Sequence, residues 1–287
     1  MIMGIVGKTL NIRNHNFVFG KQTFIIGIVN VTPDSFSKDG ITDTQQAVAL
    51  ALKQIEQGAQ IIDIGGQSTR PGYEPIDEQT ELKRIIPVIK ELRKQSDVII
   101  SVDTFSAKVA VETLNSGADI LNSIWGLTEE LLPVIQSKKI PIIIMHNKSE
   151  AVYPNGIVKE VKEYFSQAAE KALKAGLIKE QIILDPGIGF GKTADHNIEL
   201  MSCLKEIVAL GFPTLIGTSR KSTIGKLIDK DVDERVFGTA ATIAFAIAHG
   251  VDIVRVHDVA EIADVVKVSD ALVRNWRPND WDNTLKK

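Results

Sequence analysis

Apolar, β-branched runs in this chain repeatedly stop at a residue that can bind or react. Asn30 follows "FIIGIV"; Gln67, Ser68, Thr69 and Arg70 follow "IIDIGG"; Asp103 follows "IISV"; Asn122 follows "DIL"; His146 follows "IPIIIM"; Asp185 follows "IIL". Ser219, Arg220 and Lys221 follow "TLIGT", and Arg255 and His257 lie within "VRVH". The set divides into two chemistries. Asp103, Asn122 and Asp185 offer two carboxylates and an amide, the groups that read a flat heterocycle with N–H and amino donors on one edge and a carbonyl on another, where Lys221 could meet the carbonyl. Arg255 and His257 alternate along one run, so their side chains share a face, and a cationic pair there suits phosphate. Each residue also has a plainer reading. Asp103 before Ser106 and Asn122 before Gly126 could cap helices, and Arg255 could pair with a neighbouring acid. A polar stop on every run favours a site over coincidence.

These residues need elements to hold them. Amphipathic segments closed by glycine and followed by short Ile/Val runs recur as "IEQGAQIIDIG", "LNSGADILN", "LKAGLIKEQIILD", "VALGFPTLIG" and "IAHGVDIVRV". Glycine just past a helix is the usual left-handed cap, and continuous Ile/Val runs indicate strands buried on both faces of a parallel sheet. With "FIIGIVN" at 24–30, "VIISVDT" at 98–104 and "IPIIIMH" at 140–146 the strand count reaches eight. Helices are expected at 44–57, 78–94, 106–116 and 157–175. Eight alternations in a chain of 287 residues predict an α/β fold of the (β/α)8 TIM-barrel type rather than a doubly wound sheet, with residues 7–23 forming a β-hairpin across the barrel's bottom.

One segment asks for a separate account. "DPGIGFGKT", residues 185–193, ends in Gly-Lys-Thr, but Pro186 occupies the position where a P-loop needs glycine, and Gly187, Gly189 and Gly191 are spaced two and two rather than as a dinucleotide fingerprint. It reads as a strand that stops at Asp185 and enters a tight glycine turn.

Composition narrows the partners. A net charge of −3 gives no basic field for nucleic acid or anionic membrane, although a local cluster can still bind a small anion. Cys203 is the one cysteine, which excludes an intrachain disulfide or a cysteine-based metal site and leaves a buried packing role in the helix around "MSCLKEIV". The five histidines lack metal-ligand spacing, and the longest uncharged helical stretch, 236–248, is too short to span a membrane. A soluble cytoplasmic protein is expected.

"GIVNVTPDSF", "DIGGQSTRPG", "SVDTFSAKVA", "ILDPGIGFGKT", "IGTSRKS" and "VRVHDV" resemble, in order and across nearly the whole chain, the motifs of the dihydropteroate synthases. "STRPG" and "SRK" weigh against the pterin-binding methyltransferases. The resemblance implies one pterin-binding barrel domain over 1–287, a transferase that joins p-aminobenzoate to 6-hydroxymethyl-7,8-dihydropterin pyrophosphate with release of pyrophosphate, Mg2+ as cofactor, and a homodimer through the last helices. It implies a pterin pocket of Asp103, Asn122, Ile124, Met145, Asp185, Phe190, Gly217 and Lys221, and pyrophosphate contacts from Thr69, Arg255 and His257. Phe36, Thr69, Arg70, Pro71, Lys221 and Ser222 resemble the aminobenzoate site, and Asn30 the Mg2+ ligand. Asp103, Asp185, Lys221, Arg255 and His257 are implied to be catalytic, through an SN1-like departure of pyrophosphate. The glycine turn resembles the pocket wall, where backbone lies close to a planar ring and side chains would collide with it. Lys221, read as an exposed loop lysine beside Arg220, lacks the apolar burial that Schiff-base chemistry prefers. Two positions depart from the pattern: Gln67 replaces the usual Glu and Ser123 the common Asp. They leave a non-catalytic pterin-binding relative as the alternative.

Overall fold

The computed structural model describes residues 5–32, 43–67, 76–279 and 281. Two short strands, β1 (Thr9–Ile12) and β2 (His15–Val18), pair antiparallel, and eight βα alternations follow. In chain order these are β3 (Phe24–Asn30), α1 (Thr44–Glu56), β4 (Ile61–Gly65), α2 (Glu78–Gln95), β5 (Ile99–Asp103), α3 (Ala107–Asn115), β6 (Ile120–Ser123), α4 (Leu132–Lys138), β7 (Ile142–Met145) and α5 (Ile157–Lys174). They continue with β8 (Ile182–Asp185), α6 (Ala194–Ser202), α7 (Leu204–Val208), β9 (Leu215–Ile216), α8 (Ser222–Ile228), α9 (Val236–Ala248), β10 (Ile253–Val256) and α10 (Val259–Val273).

The sheet order is β8-β7-β6-β5-β4-β3-β10-β9, all parallel, and the Leu184 N–H donates across to Pro213 O at 2.8 Å beside a Leu184 to Thr214 bridge, which closes the barrel. Helix boundaries follow local chemistry. Asp43, Asp77 and Ser106 accept from the first-turn N–H groups of α1, α2 and α3, satisfying donors that have no partner within the helix. All five glycines expected to close helices, Gly58, Gly117, Gly176, Gly211 and Gly250, have positive φ. The segment around Cys203 differs from the expectation of one helix with a buried cysteine. Cys203 is a half-buried junction where α6 ends and α7 begins.

Alternation along the strands separates two cores. Outward residues such as Ile62, Ile100, Ile144 and Val254 pack against the helices. Inward residues at the strand starts, including Ile26, Ile61, Ile99, Ile120, Ile143, Ile183, Leu215 and Ile253, form a second cluster with Leu10, Ile12, Phe17 and Phe19 of the hairpin. The hairpin therefore plugs the bottom of the barrel, as expected, and polar inward residues are confined to the upper half.

Candidate active site

Two connected depressions open at the C-terminal ends of the strands. One, of about 340 Å³, is lined by Asn30, Asp103, Phe190, Gly217, Ser219, Arg220, Lys221, Ser222, Arg235, Arg255 and His257 among others. A narrower one adds Asn122, Ile124, Met145, Asp185, Gly187 and Ile188, and shares Asp103, Phe190, Gly217, Lys221 and Arg255 with the first. A larger groove, about 690 Å³, runs outside the barrel along α5 and α6, but exposed Lys and Glu side chains line it and no strand end points into it. The strand ends thus bring together Asn30, Asp103, Asn122, Ile124, Met145, Asp185, Phe190, Gly217, Lys221, Ser222, Arg255 and His257. Phe36, Thr69, Arg70 and Pro71 lie outside the described residues.

Charge is dense where water is scarce. Burial raises the Asp103 carboxyl to about 7, with the nearby Arg255 opposing the shift and Asp63 reinforcing it. Burial also raises Asp185, against the Gly187 N–H that donates to its Oδ1 at 2.8 Å. Arg255 donates from Nε to Asp63 Oδ2 at 2.7 Å and from Nη2 to Asp103 Oδ2 at 3.2 Å. Burial opposes its charge, yet the two carboxylates raise its pKa. The plainer reading of Arg255 as a salt-bridge partner therefore holds alongside its place in the cavity wall. Lys221 is not the exposed lysine the sequence suggested. It is half-buried, its Nζ lies 4.0 Å from the Phe190 ring centroid, and burial, with Arg255 adding to it, lowers the amine to about 8.

His257 rests against a serine. Ser219 Oγ accepts the His257 backbone N–H at 3.2 Å and lies 2.9 Å from its Nδ1; when the hydroxyl donates to Nδ1, the ring proton is on Nε2. Burial together with Arg255, Arg220 and Lys221 pushes the ring down to about 3. Asp103 and Asn122 are not helix caps, because Ser106 performs that role for α3 and Asn122 Nδ2 donates to Asp63 Oδ2 at 2.9 Å. Asp63, fully buried in β4, lies below the strand ends that the polar stops mark; its signal in the sequence is a charged residue in the middle of "IIDIG".

The glycine turn proves crowded, and by the neighbouring loop first. Gly187 and Gly191 have φ of +67° and +55°, and a Cβ on either would lie 2.1 Å from a backbone oxygen, His146 O or Lys148 O. A Cβ on Gly189 would meet only a side chain of the site, Lys221, while one on Gly187 would also lie 3.1 Å from Met145 Cγ.

A family model described as pterin binding enzyme matches residues 26–257. The dihydropteroate synthase of Synechocystis sp. is 48% identical over 282 residues, 95% of this chain and 94% of the relative. The chain belongs to the dihydropteroate synthases. The Yersinia pestis dihydropteroate synthase, solved in complex with a sulfonamide drug, superposes with a TM-score of 0.88 at 36% identity over 92% of this chain and 99% of that one. The Xanthomonas albilineans dihydropteroate synthase, solved with 7,8-dihydropteroate, gives 0.83 at 34% identity over 92% and 98%.

Among the described residues, neither departure from the dihydropteroate synthase pattern lines the two strand-end depressions. Ser123 is fully buried and, by alternation with Asn122, faces away from the barrel axis. Gln67 is buried at the end of β4, and its Nε2 has no hydrogen-bond partner among the described residues.

Proposed function

We propose that the joined depressions bind 6-hydroxymethyl-7,8-dihydropterin pyrophosphate in the narrow part and p-aminobenzoate at the wider mouth, yielding 7,8-dihydropteroate and pyrophosphate. Membership of the dihydropteroate synthases makes the chain a transferase, and the assignment of residues is what the proposal adds. One observation carries it: two carboxylates, Asp103 and the buried Asp185, and the Asn122 amide converge with Lys221 on a small pocket that opens directly onto Arg255 and His257.

The roles follow from which atoms remain available. Asn122 commits Nδ2 to Asp63, so its carbonyl oxygen accepts from a ring N–H. Asp185 keeps Oδ2 for the amino edge, and Asp103 Oδ1 has no partner among the described residues. Lys221 donates to the ring carbonyl. Arg255 and the Nε2–H of His257 face the phosphates. When the bond between the pterin methylene and the pyrophosphate oxygen breaks, its electron pair leaves with pyrophosphate and positive charge spreads over the electron-rich ring, where Asp103 and Asp185 stabilise it. The amine of p-aminobenzoate then bonds to the methylene and gives one proton to water. Ser222 belongs with the aminobenzoate end, together with Phe36, Thr69, Arg70 and Pro71.

Mg2+ fits this arrangement through Asn30. No three His, Cys, Asp or Glu side chains form a metal cage among the described residues, while Asn30 lines the cavity with a single hard oxygen. That suits a cation that retains waters and takes its other ligands from phosphate. Bound there, Mg2+ would offset charge on the departing pyrophosphate. The proposal extends to a cytoplasmic homodimer built from one functional domain per chain, supported by Leu227 on α8, Phe237 on α9 and Leu272 on α10, which are 65%, 85% and 81% exposed on helices that pack side by side.

The deciding experiment supplies both substrates and Mg2+ to the purified protein and measures dihydropteroate. Product formation is expected. Tight binding of the pterin pyrophosphate without product would favour the non-catalytic alternative.

A further inference from the structure

We propose that Lys192 is a positioning residue for the pterin pocket: its side-chain nitrogen ties the Phe190 carbonyl to the His146 carbonyl and so fixes the aromatic ring against which Lys221 rests. The inference builds on the functional reading above. It arises from the part of the sequence that reading left unused, the Gly-Lys at the end of "DPGIGFGKT", which resembles a phosphate loop and is not one.

Lys192 Nζ donates to Phe190 O at 2.8 Å and to His146 O at 3.0 Å. The two carbonyls belong to different βα connections, one after β8 and one after β7. The turn between β8 and α6 is tethered elsewhere by neutral donors. Asn197 Oδ1 accepts from the Gly189 N–H, and Tyr153 Oη donates to Gly191 O, both at 2.8 Å. Neither reaches the peptide of Phe190. Lys192 does, and it links that peptide to the same His146 oxygen that Gly187 must clear. Burial lowers its amine to about 7, with the Asp185 carboxylate opposing the shift, so the nitrogen that spans the two carbonyls also sits in the field of the site.

What it holds is the ring of Phe190, which lines both depressions and lies 4.0 Å from Lys221 Nζ. A shift of that ring moves the wall of the pterin pocket and the amine assigned to the ring carbonyl together. Phe190 and Lys221 also line the wider mouth beside Ser222, whereas Asn122 and Asp185 line the narrow part alone. The consequence is graded: loss of the clamp weakens use of the pterin substrate more than use of p-aminobenzoate.

Steady-state kinetics of Lys192→Met, Lys192→Arg, Phe190→Leu and the double variant Lys192→Met/Phe190→Leu test this. Lys192→Met is expected to raise KM for the pterin pyrophosphate about tenfold and KM for p-aminobenzoate clearly less, by about threefold at most, with Lys192→Arg recovering most of the loss because it restores donors. The double variant should be no worse than Phe190→Leu alone, since Lys192 acts through that ring. Equal rises for both substrates, or losses that simply add, would overturn the proposal and leave Lys192 a staple between loops. If Lys192→Met fails to fold, Lys192→Gln, which keeps a donor nitrogen on a shorter, uncharged side chain, carries the same comparison. A wild-type protein that neither binds nor turns over the pterin substrate would defeat the functional reading itself, whereas normal wild-type turnover matched by Lys192→Met would defeat only this inference.

Discussion

Arg255 Nε lies 2.7 Å from Asp63 Oδ2, and the same oxygen accepts from Asn122 Nδ2 at 2.9 Å. One carboxylate oxygen, fully buried in the barrel, therefore sets the direction of the guanidinium on one side and of the amide on the other. Arg255 reaches Asp103 with a second nitrogen, so the phosphate-facing and ring-reading halves of the site share a single charged network.

Asp63→Asn retains the shape and removes the charge. Arg255 would keep only Asp103 as a carboxylate partner, and the new amide would present donors where the buried Asp63 Oδ1 has no hydrogen-bond partner among the described residues. Urea denaturation should show a loss of about 1 to 3 kcal/mol, and kcat/KM for the pterin pyrophosphate should fall at least about tenfold. Wild-type values in both measurements would make the shared oxygen incidental.

The pH dependence of kcat/KM should be bell-shaped, with its maximum between about 7 and about 8. Asp103, raised to about 7 chiefly by burial, must be ionised, so activity is lost as pH falls through that value. Lys221, lowered to about 8 chiefly by burial, must be protonated, so activity is lost as pH rises through it. His257, held near 3, stays neutral throughout and adds no limb. The two limbs report the network rather than single residues. Lys221→Arg, which cannot deprotonate in this range, should abolish the alkaline limb and keep the acid one; a profile identical to wild type would exclude Lys221 as the basic group.

For Asp185→Asn the fold is expected to survive, because an amide oxygen can still accept from the Gly187 N–H. The charge facing the pterin cation is lost, and kcat should fall roughly 10 to 100-fold with little change in the thermal midpoint. Turnover within about threefold of wild type would remove Asp185 from the charge-stabilising role.

Much of this was legible because barrels obey simple periods. The stops of Ile/Val runs located Asp103, Asn122, Asp185 and His257, and the alternation of Arg255 with His257 predicted their common cavity. What escaped depends on distance across the fold. Asp63 is far in sequence from Arg255, and a mid-strand position carries no sign of which residue crosses the barrel to meet it. Lys221 looked exposed because its neighbours are polar, whereas its burial comes from Phe190, contributed by another loop. The break at Cys203 is equally hidden, since "MSCLKEIV" keeps its helical periodicity across the junction.

The glycine turn gives the sharpest contrast between two neighbouring substitutions. Gly187 and Gly189 both have left-handed φ, +67° and +85°, so alanine at either carries a similar backbone strain of about 1 kcal/mol. Their surroundings differ. A Cβ on Gly187 would lie 2.1 Å from His146 O, a backbone atom that can retreat only if β7's connection and the Lys192 clamp move with it. A Cβ on Gly189 would lie 3.1 Å from Lys221 Cδ, part of a flexible chain that can swing by a few tenths of an ångström. Gly187→Ala should therefore destabilise by about 3 to 5 kcal/mol, and Gly189→Ala by about 1 to 2 kcal/mol. The kinetic order is different in kind, because Gly189→Ala leaves the fold nearly intact while pressing on the lysine assigned to the ring carbonyl, which should raise KM for the pterin pyrophosphate. Chemical denaturation of the two variants in parallel decides the matter: equal losses would mean that the neighbouring loop yields freely, and that left-handed backbone alone accounts for the glycines.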